Sequence, residues 1–155
     1  MPKECSTALP PRAPFYEKGL RFECQAGCSG CCGGFPGYVW LDRESDVPRI
    51  SRFLGLSEGD FLARYTRVVE GRISLKDLPD QKWNCVMLKE GRCSIYAVRP
   101  TQCRTYPFWA SNLAARSQWD ALADECPGIG KGRIYTQTEI ETILDERGAA
   151  DDSER

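Results

Sequence analysis

The sequence predicts a small single domain that is mainly α-helical, with one short β-hairpin and long irregular loops ordered by a metal. Three observations lead there. Capping residues stand before runs of apolar side chains at helical spacing. The stretch "WNCVMLKEGRCSIY" reads as two arms about a turn at Glu90-Gly91. Eight of the nine cysteines stand in glycine- or proline-marked segments or on that hairpin, outside the helices.

Along the chain, Pro10, Pro11 and Pro14 exclude regular structure and predict an extended lead-in over 1–20, whose Cys5 is expected to stay unliganded. The domain proper is expected over 21–148. Asp42 is a candidate N-cap, after which Val47, Ile50 and Leu54 recur at helical spacing up to Gly55, with Pro48 delaying or kinking the helix. Ser57 caps "SEGDFLARYTRVV", where Phe61, Tyr65 and Val68 share a face. These two helices are the expected core. The hairpin follows, with Cys85 and Cys93 on its arms. Ser117 is placed to cap "QWDALADE". Thr136 and Glu139 form a capping box at the head of "TQTEIETILDERG", which is expected to stop at Gly148, leaving 149–155 as a disordered tail.

Composition removes several function classes. At 155 residues the chain can bury a core without cross-links, which become general only below about 40 residues, so the cysteines are not staples for a mini-protein. Lys+Arg 21 against Asp+Glu 22 gives a net charge of -1, without the basic field that nucleic acid or an anionic membrane would require. The N-terminus has no apolar leader segment and no run of about 18 apolar residues occurs, so a cytoplasmic protein is expected, where thiols serve metals or catalysis rather than disulfides. Histidine is absent. A Cys-His nucleophile pair, a histidine base and a mixed Cys/His zinc site are therefore all excluded. Any soft-metal site must be made of thiolates.

Cys24, Cys28, Cys31 and Cys32 crowd into "ECQAGCSGCCGG"; Cys85 and Cys93 lie on the hairpin, Cys103 in "RPTQCRTYPFW" and Cys126 in "ECPGIGKG". Loops of this length need something to order them. Structural metal binding, about 10–16 kcal/mol in zinc-finger peptides, supplies it and closes the loops. Burial as ordinary free cysteine is the plainer reading, but Gly27, Gly30, Gly33 and Gly34 offer these thiols no core to join.

The cysteine loop, followed by "CSIYAVRPTQCRTYPFW" and "CPGIGKG", resembles the YkgJ-like cysteine-cluster proteins, also described as a zinc- or iron-chelating domain, from about Phe22 to Gly132. The resemblance implies metal chelation by these eight thiols, with a metal ion as the partner; the family has no settled reaction. Flagellin lysine methylases carry a similar cluster beside additional sequence. The dense loop with a distant Cys-Pro also resembles bacterial ferredoxin ligation, which makes an iron–sulfur cluster the leading cofactor and zinc the alternative. Adjacent Cys31 and Cys32 project differently and suit one polynuclear cluster or two neighbouring sites. The function expected is a non-catalytic module that carries metal or electrons or organises structure. The alternative is an iron–sulfur enzyme or redox sensor with an open coordination position.

Two motifs are set aside. Cys24, Cys28 and Cys31 match the spacing of radical S-adenosylmethionine enzymes, but Gly30 stands where those have an aromatic residue and no alternation of strands and helices accompanies it. "GIGKG" lacks the first glycine and the terminal Ser/Thr of a phosphate loop and is expected to be a loop beside Cys126. Four thiolates on a dipositive centre leave about two negative charges for neighbours to offset. Arg99 and Arg104, flanking Cys103, are the candidates, with Tyr96 and Tyr106 as hydrogen-bond donors. Trp83, Trp109 and Trp119 are expected to pack.

Overall fold

A computed structural model describes residues 12–33 and 36–153, the last five of them by backbone alone. Cys5, the first half of the lead-in and residues 154–155 lie outside the described residues. The chain runs β1 (Leu20–Phe22), β2 (Val39–Trp40), α1 (Asp46–Leu54), α2 (Glu58–Tyr65), β3 (Thr66–Val69), β4 (Arg72–Leu75), β5 (Asp77–Leu78), β6 (Asn84–Cys85), β7 (Leu88–Lys89), β8 (Arg92–Cys93), α3 (Thr101–Thr105), α4 (Arg116–Ala121), β9 (Ile129–Tyr135) and α5 (Gln137–Ser153).

Only some of the helix signals act as expected, those at Ser57, Gly55 and Thr136–Glu139. The Ser57 hydroxyl accepts the Asp60 amide at 3.1 Å and starts α2. Asp42 instead closes a turn, accepting the Ser45 amide at 2.6 Å, so α1 begins at Asp46 and holds Pro48 in its first turn, where proline is tolerated. Gly55 ends α1 in the left-handed conformation at φ 68°, which a side chain would strain. At α5 the capping box is complete: the Thr136 amide donates to Glu139 at 2.7 Å, and the Glu139 amide donates to the Thr136 hydroxyl at 3.3 Å. The helix then passes Gly148 and continues to Ser153. α4 starts after Ala115, without a cap from Ser117.

The expectation of a mainly α-helical domain is corrected. The fold is mixed, 39% helix and 21% strand, with several small antiparallel sheets. The helical face read through Phe61, Tyr65 and Val68 breaks after Tyr65, because Thr66–Val69 pairs with Arg72–Leu75, and β2 adds on the far side of β4. "GIGKG" is not a loop throughout: after Gly128 it enters β9, which pairs antiparallel with β1 from the other end of the chain. The hairpin at Glu90-Gly91 forms between β7 and β8, whereas Cys85 leaves it to pair, through β6, with Asp77 of β5. Each of these ladders is short, and two of them, β1–β9 and β2–β4, pair segments far apart along the chain, which local periodicity does not reveal.

Two apolar clusters result. Leu41, Val47, Ile50, Phe61, Leu75, Val86, Met87 and Ile95 form the first. Leu20, Phe108, Leu113, Trp119 and Ile140 form the second, where the rings of Phe108 and Trp119 stack at 5.4 Å. α3 joins them. Its first amide, at Thr101, donates to the buried carboxylate of Asp46 in α1 at 3.2 Å, a cap supplied from another helix. Arg49 secures that carboxylate at 2.8 Å and also donates to the Arg99 carbonyl at 2.8 Å, so the buried charge is fully paired. Gln102 clamps β2, its Oε1 accepting the Trp40 amide and its Nε2 donating to the Tyr38 carbonyl. On its other side α3 meets α5 through Arg104 and Glu146, 2.5 Å apart. No described helix is long and apolar enough to cross a membrane.

Candidate metal centre

The cysteine loop lies between the two clusters and is held from both sides. The Cys28 amide donates to Gln25 and the Cys32 amide to Ser29, which curls the chain into two successive turns. A single 3-10 turn, Gly30–Cys32, carries the adjacent pair. At about three residues per turn, neighbouring side chains leave such a turn roughly 120° apart. Gly33 lies flat against Asn84: a Cβ there would overlap the Asn84 side chain and stand 2.9 Å from its Cα, so only glycine lets the loop rest on the strand that carries Cys85. Gly30 lies against the other wall, where a Cβ would stand 3.4 Å from the Glu125 carbonyl, next to Cys126.

Four separate segments therefore deliver thiols to one seam. Cys85 and Cys93 edge the first apolar cluster. Cys103 rides on α3, the element that ties the clusters together. Cys126 leads into β9, its amide bonded to the Leu122 carbonyl at 2.7 Å. None of the eight is disulfide-bonded and none is fully buried; Cys24 and Cys31 are exposed. Ordinary core cysteines would be sealed in apolar packing.

The thiols feel one another. The Cys32 thiol donates a hydrogen bond to Cys31, which stabilises the Cys31 thiolate against the cost of burial and brings it down to about 6, with Arg99 helping. The same bond, reinforced by burial, pushes Cys32 far up. Burial raises Cys24, and the charges of Cys31, Cys28 and Cys126 add to it. Cys103, densely surrounded though not sealed from solvent, is driven well up by burial and by Cys85, Cys31 and Cys93. A metal-free seam thus resists holding all its thiolates at once, and a cation relieves that resistance.

The expected neighbours divide. Arg99 faces the seam and favours the charged forms of Cys24, Cys31, Cys93 and Cys103. Its guanidinium stacks 3.9 Å from the centre of the Tyr96 ring, and its Nε donates to the Tyr96 carbonyl, so Tyr96 holds the arginine rather than a thiol. Tyr106 is pushed well up by burial and by Cys126, to which it hydrogen-bonds. Arg104 is engaged by Glu146 of α5. Of the tryptophans, Trp119 is buried in the second cluster, Trp109 donates to the Gln102 carbonyl at 3.1 Å, and Trp83 is exposed.

Sequence reasoning missed Asp46, Gln102 and Asn84, which place α3, β2 and the cysteine loop. Asp46 carried a signal, an acid opening a helix, but that pattern does not reveal that its carboxylate caps a second helix.

Among the described residues, no three Cys, Asp or Glu side chains already surround a common point as a finished metal shell. The donor chemistry nevertheless fits a thiophilic metal: eight thiols without a competing imidazole, none in a disulfide and none fully buried. Such closure on binding is ordinary for structural metals, whose sites rarely exist before the ion arrives.

No solved structure matches the chain. A curated relative, the uncharacterized protein MJ0661 of Methanocaldococcus jannaschii, is 30% identical over 95 residues, covering 60% of this chain and 48% of that protein. The chain therefore spans about half the length of that relative. Residues 23–127, from the head of the cysteine loop to the residue after Cys126, match the CxxCxxCC family, described as "Putative zinc- or iron-chelating domain". With that match over more than half its length, the chain belongs to the CxxCxxCC family.

Proposed function

We propose that residues 21–148 form a metal-chelating domain in which Cys24, Cys28, Cys31, Cys32, Cys85, Cys93, Cys103 and Cys126 are the ligands. The resident group is an iron–sulfur cluster, with zinc as the alternative. The reading is supported by eight thiols free of disulfides and not fully buried, with Cys85 and Cys93 against the first apolar cluster and the cysteine loop lying against Asn84 and Glu125. Arg99 offsets the negative charge that thiolate ligation leaves, and Tyr106 donates to the ligand Cys126. When bound, an iron–sulfur cluster would supply one-electron chemistry and zinc only structure. The domain acts as a non-catalytic module that holds or passes metal or electrons, since so many thiols suffice to close the coordination. The exposure of Cys24 and Cys31 favours a second reading, a redox sensor or enzyme with one position open to solvent.

Protein purified without oxygen from its native host tests the cofactor. It should be brown and contain iron with acid-labile sulfide. Stoichiometric zinc with neither iron nor sulfide would overturn the iron–sulfur reading and leave the zinc one. Aerobic recombinant material does not discriminate, because thiolates that lose a cluster readily take zinc.

A further inference from the structure

Apart from the cysteines, a cleft of about 390 Å³ opens between β1, α4 and the head of β9. Small-molecule sites span roughly 300–1,000 Å³. The β1–β9 ladder is broken beside it: Arg21 pairs with Ile134 but the next residue, Phe22, pairs with Ile129, so residues 130–133 stand out of register. Bulges of this kind are common next to binding sites. The Arg21 guanidinium reaches across the bulge and donates to the Gly132 carbonyl at 2.7 Å.

The floor of the cleft is apolar, made by Leu20, Trp119 and Ile129. Trp119 is only 3% exposed, with the Phe108 ring stacked on it. A buried indole N–H ordinarily finds an acceptor. This one has none among the described residues, and it is not sealed in the interior either, so it opens into the cleft that Trp119 lines. The rim adds further donors. Arg116 holds both oxygens of Asp120 through its Nε alone, at 3.0 and 3.2 Å, and no described residue accepts from its terminal nitrogens. Arg21 and Arg116 against Asp120 leave the cleft with an excess of positive charge. We propose that the cleft binds a small organic monocarboxylate with an apolar body, whose carboxylate meets Arg116 and the Trp119 N–H. The charge calls for an anion, the unmatched donors for an acceptor headgroup that suits a planar guanidinium, and the floor for an apolar body. This site does not depend on the thiolate reading above.

Isothermal titration calorimetry of the full chain with 3-phenylpropionate tests the proposal. Saturable one-to-one binding is expected, tighter by about tenfold or more than that of acetate, which lacks the apolar body, and of 3-phenylpropionamide, which lacks the charge. Two variants locate it. Arg116→Gln should weaken binding about tenfold, the usual effect of removing a charged hydrogen-bond partner. Ala123→Phe, on the cleft wall, should abolish binding by filling the space. Both positions are exposed, so neither change disturbs the core. Absence of saturable binding by 3-phenylpropionate, or equal affinity for the amide or for acetate, would overturn the proposal. Unchanged affinity in both variants would place the acid elsewhere and overturn it as well.

Discussion

The half of the molecule built on α1, α2, β3 and β4 and the segment from Cys24 to Gly33 are ordered by different means. In the first, Val47, Ile50 and Phe61 are wholly enclosed, and a serine cap starts one helix while a left-handed glycine ends the other. In the second no residue is fully buried, and the only regular element is one uncapped 3-10 turn. Apolar burial at roughly 25 cal/mol per Å² holds the first without help. The cysteine loop has no such term, only backbone contacts through Gly30 and Gly33. One half carries its own apolar core, and in the proposed function a bound metal orders the other.

The largest effects should come from breaking the second region. Cys28→Ser and Cys103→Ser should lower metal content by elemental analysis and loosen the loop, since structural metal ions contribute about 10–16 kcal/mol in small peptides. Cys5→Ser should change neither. Full metal occupancy in both variants would remove these cysteines from the ligand set. Next in size, Phe61→Ala should cost about 3–5 kcal/mol and lower the thermal midpoint by a similar amount with and without metal. A midpoint that falls only in the metal-free protein would show that the two regions are not separately ordered.

Smaller effects sharpen the boundary. Arg99→Ala should weaken metal retention against a chelator about 10–100-fold, the usual consequence of losing a partner outside the ligand set. Arg104→Ala should leave release unchanged, because Glu146 already holds that guanidinium; faster release from this variant alone would reverse the two roles. Smallest of all, Thr136→Ala should cost about 1 kcal/mol at the head of α5 and leave metal content untouched. The Glu139 carboxylate is held below its ordinary value, first by the Thr136 amide and then by Arg133. Its support for α5 is therefore present above the ordinary glutamate value and lost as pH falls through the lowered one. Amide exchange in the first turn of α5 measured down that range reads the loss.

What could be read from the sequence follows the same division. Caps are local chemistry, and Ser57, Gly55 and the Thr136–Glu139 pair behave as read. The turn at Glu90-Gly91 is local too. The β3–β4 ladder was hidden because Phe61, Tyr65 and Val68 keep a helical interval across the point where the chain turns to strand. The pairing of Leu20–Phe22 with Ile129–Tyr135 joins segments more than a hundred residues apart, and glycine-rich "GIGKG" has no strand character of its own. At the site, thiol identity was legible because chemistry resides in residue type. Orientation was not: Arg99 and Arg104 look equivalent beside Cys103, and only the packing of α3 against α5 turns Arg104 toward Glu146.

Hydrogen exchange followed by mass spectrometry, on the same protein before and after a chelator strips the metal, tests the central claim most directly. The account predicts that residues 24–33, with the backbone about Cys85, Cys103 and Cys126, lose protection on stripping while α1, α2, β3 and β4 keep theirs. Equal protection of 24–33 in both states, or equal loss from α1 and α2, would contradict it.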